Sequence, residues 1–285
     1  MKVGYLGPQG TFSQEAALQY VEGDAARLQP YPSISGVFEA LAAREISQGI
    51  VPVENSLQGS VTQTLDDLAK IGRPLVQGEL VIPVDHYLLR VRGAQGPVEY
   101  ISSHPQALAQ CRGYLDKHYP QVERRWAAST AEAAANLVDA GGLAIGPRIL
   151  ADLYDLDIVA ACIQDAPENV SRFLVIGSGD APPSGDDLTS IVFTPLSEGP
   201  GVLYHILAEF ATRQINLTKI ESRPTKRYLG QYRFFIDFVG HRLLSPAKEA
   251  LAAVKRQCKE LHVLGSYPRN RSGSKNPGQE QVVDI

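Results

Sequence analysis

Ser171, Arg172 and Phe173 stand at the head of an apolar run, Phe173 to Ile176, within the stretch APENVSRFLVI at 166–176. A serine hydroxyl donates one hydrogen bond and accepts two, and a guanidinium grips a carboxylate through two parallel bonds. A strand beneath the pair would hold both rigidly enough to orient a polar ligand. Triplets of this kind also open ordinary strands, where the arginine is merely solvated. A second polar set, Glu54, Asn55 and Ser56, follows the apolar stretch 49–53 and has the chemistry to hold a polar ligand, or simply to form a solvated loop. A third comprises Ser103, His104 and Gln106, with Gln110 four residues beyond Gln106 and therefore on the same helical face. His104 can serve as a general acid or only cap the helix that Pro105 opens. The turn Gly7-Pro8-Gln9-Gly10, followed by Thr11, Phe12 and Ser13, offers backbone N–H groups suited to a carboxylate or phosphate. Thr11 or Ser13 equally makes a plain helix cap, and both readings stand. The turn matches neither G-x-G-x-x-G nor a P-loop, so no nucleotide is indicated.

The elements that must position these groups alternate between strand and helix. A strand at Val3–Leu6 meets a helix whose apolar residues recur at Ala16, Ala17, Tyr20 and Val21. Residues 28–31, a helix over 34–44, a strand at 49–53 and a helix over 61–70 continue the pattern, which predicts parallel βαβ units. In such sheets ligands sit at the C-terminal ends of strands, where the loop from Glu54 to Ser60 belongs. The β-rich segment 75–91 is expected to cross from one lobe to another. A second α/β unit then follows: a strand at 100–102, a helix to about His118, and strands at 122–127 and 142–145 around a helix opening at Ser129 and Thr130. The Gly, Pro and Ser content of 177–187 marks a linker. Beyond it the order becomes strand 188–194, helix 201–213, strand 215–223, strand 231–240, helix 246–258 and strand 260–267, a ferredoxin-like βαββαβ module. Leu203, Ile206, Leu207, Phe210 and Ala211 form the apolar stripe of its first helix. The polar stretch 269–285 is expected to be a disordered tail.

A chain of 285 residues with 44% hydrophobic and 20% charged content is a globular protein with room for two domains. Its net charge of −4 gives no reason to expect nucleic acid or an anionic membrane as partner, and an anionic substrate needs local cations such as Arg172. Three dispersed cysteines, without a C-x-x-C pair, argue against a disulfide framework or a zinc site and fit a reducing compartment. With no apolar signal core and no long apolar run, a cytoplasmic location is expected.

GPQGTFS (7–13), PVENSLQGSV (52–61), SHPQALAQC (103–111) and ENVSRFLVI (168–176) resemble the motif set of the prephenate dehydratase family. GPGVLY (199–204) and INLTKIESRP (215–224) resemble the two ligand-site motifs of the phenylalanine-binding ACT domain of those enzymes. Each motif alone is weak, but six in family order are specific.

The resemblance implies a two-lobed catalytic region, like a periplasmic binding protein, over 1–178. One lobe would be 1–78 with 160–178 and the other 79–159, followed by an ACT domain at 188–268. It further implies conversion of prephenate to phenylpyruvate, water and CO2 without metal or cofactor, feedback by L-phenylalanine, and a homodimer or homotetramer. Ser171 and Arg172 would be catalytic; Thr11, Asn55, Ser56, Ser103, Gln110 and Phe173 would bind substrate. Gly201, Val202, Leu203, Asn216, Leu217, Glu221, Ser222, Arg223 and Pro224 would bind the effector.

Ser171 departs from the family's usual threonine: it keeps the O–H donor but loses the methyl that stiffens χ1. The departure leaves a prephenate decarboxylase in view. An arogenate dehydratase, acting on the amino analogue of the same substrate, is a second enzyme reading. A non-catalytic small-molecule sensor is the rival from another class, since a fold does not fix a function, and the Ser-Arg-Phe triplet and the Asn/Ser/Gln set weigh against it.

Overall fold

The structure, a computed structural model, describes residues 2–70, 74–225 and 231–270; the expected tail lies outside them from residue 271 onward. In chain order the elements are β1 (Val3–Leu6), α1 (Phe12–Tyr20), β2 (Leu28–Tyr31), α2 (Ile34–Ala42), β3 (Gln48–Asn55), β4 (Gly59–Ser60) and α3 (Thr62–Leu68). Then come β5 (Leu75–Pro83), β6 (Tyr87–Val91), β7 (Tyr100–Ser103), α4 (Pro105–Gln110), α5 (Arg112–His118), β8 (Glu123–Trp126), α6 (Thr130–Ala135), β9 (Gly142–Gly146), α7 (Ile149–Tyr154) and β10 (Leu156–Ala160). The chain finishes with β11 (Val170–Gly177), β12 (Asp187–Pro195), α8 (Val202–Ala211), β13 (Leu217–Pro224), β14 (Tyr232–Val239), α9 (Ala247–Gln257) and β15 (Cys258–Pro268). Two compact units result, residues 1–62 with 81–173, and residues 63–80 with 174–285.

The first unit carries two sheets. In one, β1 lies between β2 and β3, all parallel, and β4 folds back antiparallel on β3. Val3 and Tyr5 of β1 and Ile50 and Val51 of β3 are buried, and helices α1 and α2 cover them with Ala16, Ala17, Val37 and Phe38. Local chemistry starts these helices: Thr11 accepts from the Gln14 N–H and Ser33 from the Gly36 N–H. The other sheet runs β10-β6-β9-β7-β8. Only β7 pairs in parallel there, with β8 and β9; β6 is antiparallel to both β9 and β10. The parallel βαβ pairing expected of alternating elements holds for β7 with β8 and β9, and β6, from the β-rich segment 75–91, joins them antiparallel. Two apolar clusters sandwich its sheet, one around Tyr100, Ala134, Ala144 and Leu150, the other around Ile101, Leu115, Leu143 and Ile145. That clustering explains why β9, buried at all five positions, reads as a continuous apolar run.

The single helix expected from Pro105 to His118 is two. Asp165 breaks it at Cys111: the Asp165 N–H donates to the Gln110 carbonyl at 2.7 Å, and its carboxylate accepts from the Gly113 N–H at 3.0 and 3.1 Å. The backbone groups freed by the break are thus paired by a segment more than fifty residues away in sequence.

The second unit contains the four-stranded antiparallel sheet β13-β14-β12-β15, the ferredoxin-like arrangement expected of βαββαβ. Helices α8 and α9 pack on one face, Ile206, Phe210, Ala250 and Val254 meeting Ile191, Phe193, Ile236 and Phe238. On β15 the register shifts beside Gly265, and a Cβ there would lie 2.1 Å from the Val76 carbonyl oxygen, so only glycine permits the approach. Among the described residues no helix is long and apolar enough to cross a membrane.

Candidate active site

β3 ends and β11 begins side by side, and polar side chains tie them. The Ser56 N–H donates to the Val170 carbonyl at 2.9 Å, while the Val170 N–H donates to Ser56 Oγ at 3.0 Å. Asn55 Nδ2 donates to Asn169 Oδ1 (2.8 Å), the Val170 carbonyl (3.1 Å) and Ser171 Oγ (3.0 Å). Its Oδ1 accepts from the N–H groups of Leu57 and Gln58, both at 3.1 Å, which fixes the amide's orientation. Ser56 Oγ reaches Asn169 Oδ1 at 3.2 Å. Because an amide nitrogen only donates, Ser171 Oγ is the acceptor in its contact with Asn55, and its own proton stays available.

This junction forms one wall of a cavity of about 400 Å³, a size usual for small-molecule sites. Thr11, Asn55, Gln110, Ser171 and Phe173 line it, joined by Glu54, His86, His104, Gln106, Ser129 and Thr130. Leu6, Phe12, Pro52, Val61 and Val84 supply apolar wall. The lining draws on both sheets of the first unit, so strand ends and helix starts distant in sequence converge. Helix α1 brings Thr11 there through a turn that demands glycine. Gly10 has φ +81°, and a Cβ on it would sit 2.3 Å from Leu150 Cδ2.

Three residues expected at the ligand do not line the cavity. Ser103 is fully buried and its Oγ donates to the Ile145 carbonyl at 2.7 Å, stitching β7 to β9. Ser56 faces Asn169 and Val170 as described. Arg172 has the opposite parity to Ser171 and Phe173 on β11, and successive side chains on a strand point to opposite faces. Its guanidinium lies 3.9 Å from the carboxylate of Glu54, a lining residue, and is largely buried. His104 Nδ1 caps the Gln106 N–H at 3.3 Å and also lines the cavity, so both of its sequence readings persist.

His86 carries no signal in the sequence, where it is submerged in an apolar run that reads as strand. It interrupts that run between β5 and β6 and lies against the cavity, its Nε2 at 2.8 Å from Gln110 Oε1. Burial pushes its pKa below the ordinary value, opposed by the Gln110 hydrogen bond and by Asp85. Behind the cavity, burial raises the Glu15 carboxyl to about 7, against the lowering effect of its hydrogen bond from the Ile149 N–H. A neighbouring small cavity is lined by Glu15, Asp85, Tyr87 and Arg148.

In the second unit a cavity of about 580 Å³ lies at the end of β12 and the start of α8, lined by Thr194, Leu196, Gly199, Val202, Leu203 and Phe234 among others. Of the expected effector residues, Val202 and Leu203 line it, and Gly201 caps α8 at φ +82°. Asn216 accepts from the Val239 N–H through its carbonyl, and Leu217 packs against the core. Glu221 pairs with Lys219 at 3.5 Å, and Arg223 grips both oxygens of Asp66 at 3.1 Å. Ser222 and Pro224 continue β13 along the edge of the sheet. None of the residues from Asn216 to Pro224 lines the cavity that holds Val202 and Leu203.

Comparison with known proteins gives matching results over both parts. The prephenate dehydratase family model matches residues 3–181, and that of the ACT domain residues 197–256. A bifunctional chorismate mutase/prephenate dehydratase of Pseudomonas aeruginosa is 42% identical over 94% of this chain and 73% of its own length. A prephenate dehydratase of Mycobacterium sp. (strain JLS) is 37% identical over 99% of this chain and 94% of its own length. The crystal structure of prephenate dehydratase from Arthrobacter aurescens in complex with L-Phe superposes with a TM-score of 0.87. It is 35% identical, over 94% of this chain and 90% of that one.

Proposed function

The chain belongs to the prephenate dehydratase family, and we propose from that premise that its cavity takes prephenate and releases phenylpyruvate, carbon dioxide and water. One observation carries the assignment of roles: the rigidly held Asn55 amide donates to Ser171 Oγ at 3.0 Å on the cavity wall. With one lone pair so engaged, the serine directs its proton toward the ligand.

In the reaction the bond between the ring and its carboxylate breaks, and the electron pair enters the ring as the C–O bond to the ring hydroxyl breaks. Aromatisation drives both events, and the departing hydroxide takes a proton to become water. An alcohol is a weak acid, so Ser171 stabilises the leaving oxygen mainly through a hydrogen bond that strengthens as charge develops. Asn55 is already oriented by two backbone N–H groups and needs no rearrangement at that moment. The carboxylate that leaves as neutral CO2 belongs against the apolar wall, because stabilising it in the ground state would slow its loss.

The retained carboxylate takes the first turn of α1 beside Thr11, with Arg172, 3.9 Å from the lining residue Glu54, as the nearby cation. Gln110 completes the contacts. Ser56 and Ser103 act from outside the cavity, the first by holding Asn169 and β11 against Asn55, the second by tying β7 to β9. No metal or organic cofactor enters this scheme.

For the C-terminal module the reading is feedback inhibition by L-phenylalanine, supported by the L-Phe complex of the Arthrobacter aurescens relative. Val202 and Leu203 would hold the ring, and association of copies into a homodimer or homotetramer would bring the Asn216–Pro224 segment of another chain to the same ligand. The enzyme would work in the cytoplasm.

Purified protein supplied with prephenate should form phenylpyruvate. Ser171→Ala should cut kcat by about 100-fold or more with little change in KM. Intact turnover in that variant would refute the donor role, and calorimetry without L-phenylalanine binding would refute the regulatory reading.

A further inference from the structure

His86 is 2% exposed, and four contacts fix it. Its backbone N–H donates to Gln164 Oε1 at 2.9 Å and its carbonyl accepts from the Ile163 N–H at 3.0 Å. The ring meets Phe12 edge to face, with centroids 5.5 Å apart. Nε2 lies 2.8 Å from the Gln110 carbonyl oxygen, whereas Nδ1 is buried without a hydrogen-bond partner. A carbonyl oxygen can only accept, so Nε2 carries the hydrogen. Burial keeps the ring neutral by lowering its pKa, so Nδ1 is a bare acceptor.

A buried acceptor left unpaired weakens the fold, and such a group in a native structure calls for a reason other than stability. Gln110 supplies that reason. A glutamine amide can be turned either way about its terminal bond; here the imidazole N–H claims the oxygen of Gln110, a residue that lines the cavity, and leaves the –NH2 for another partner.

We propose that His86 is a positioning residue that locks the Gln110 amide with its –NH2 toward the ligand, making this wall a hydrogen-bond donor that favours a keto acid over its amino analogue. A keto or carboxylate oxygen accepts from that –NH2. An ammonium group at the same place would set donor against donor, and discrimination of this kind arises from unpaired polar groups rather than from size. The inference rests on the proposed reaction, since prephenate and arogenate differ by that one exchange of keto for ammonium.

The test measures kcat/KM on prephenate and arogenate, together with thermal stability, for the unaltered chain, His86→Phe and His86→Gln. Phenylalanine preserves the ring and its contact with Phe12 but frees the Gln110 amide to rotate. It should lower kcat/KM on prephenate about tenfold, the worth of one aligned hydrogen bond, and reduce the prephenate-to-arogenate ratio, while Tm is unchanged or higher because the orphaned acceptor is gone. Glutamine places an –NH2 near the position of Nε2 and should move the ratio back toward that of the unaltered chain. Failure of the unaltered chain to turn over prephenate would refute the proposed reaction. Turnover by it, with a ratio that does not move in His86→Phe, would refute the present inference alone. A fall in Tm matching the loss of activity, without recovery by glutamine, would reduce His86 to a packing residue and also overturn it.

Discussion

Glu15 offers the sharpest quantitative test of the frame behind the cavity. It lies on α1, four residues after Thr11, and accepts from the Ile149 N–H at the start of α7 at 3.4 Å. Burial raises its pKa from 4.5 to about 7, with Asp85 adding to the rise and Arg148 opposing it. Below pH 4.5 the folded and unfolded chains both hold the proton. Between 4.5 and 7 the unfolded chain releases it while the folded chain keeps it, so stability falls as pH rises through this window and levels off above it. At about 1.4 kcal/mol per unit, a shift from 4.5 to about 7 corresponds to roughly 3 kcal/mol. Glutamine has the shape of the protonated acid, retains an oxygen for the Ile149 N–H and does not titrate. Glu15→Gln should therefore match the unaltered protein at pH 4.5 and exceed its stability by roughly 3 kcal/mol at pH 8. Urea unfolding at the two pH values, followed by circular dichroism, measures the difference through the midpoint at constant slope. A gap that stays constant with pH, or a variant less stable at pH 8, would refute the claim that burial governs this carboxyl.

Asn55→Asp is isosteric but turns the donor into an acceptor facing Ser171 Oγ. The serine would then donate to the aspartate, and kcat should fall about 100- to 1,000-fold with a smaller effect on KM, measured by steady-state phenylpyruvate formation. Arg172→Ala should raise KM and lower kcat together; an unchanged KM would remove Arg172 from substrate binding. Gly265→Ala forces a methyl against the Val76 backbone and should cost about 1–3 kcal/mol in denaturant unfolding, whereas an unchanged midpoint would show that the bulge yields easily.

Much of the architecture is local chemistry. The βαββαβ module followed from apolar periodicity, and every one of its elements lies within about two residues of its expected bounds, because strands and helices there are amphipathic against a single shared core. Thr11 and Ser129 cap their helices as their types and positions suggest, Ser129 reinforced by Glu132 reaching back to the Ala128 N–H. Sequence also pointed to Asn55 and Ser171 as polar groups at strand ends, and the family motifs named them together.

Where the sequence reading failed, the cause is a partner remote along the chain. Nothing near Cys111 announces that Asp165 will split its helix, and nothing near β6 announces that it will pair antiparallel with β9. His86 resembles its apolar neighbours until Gln110 and Phe12 meet its ring. Composition, periodicity and turn chemistry determined which segments are strands and helices and which residues can donate or accept. Tertiary structure alone decided that the Asn55 amide meets Ser171 across a separation of 116 residues, and that Arg172 lies beside Glu54 while Ser171 and Phe173 line the cavity. Propensity acts within a few residues, whereas the aim of a side chain depends on which strand lies beside it and in what register.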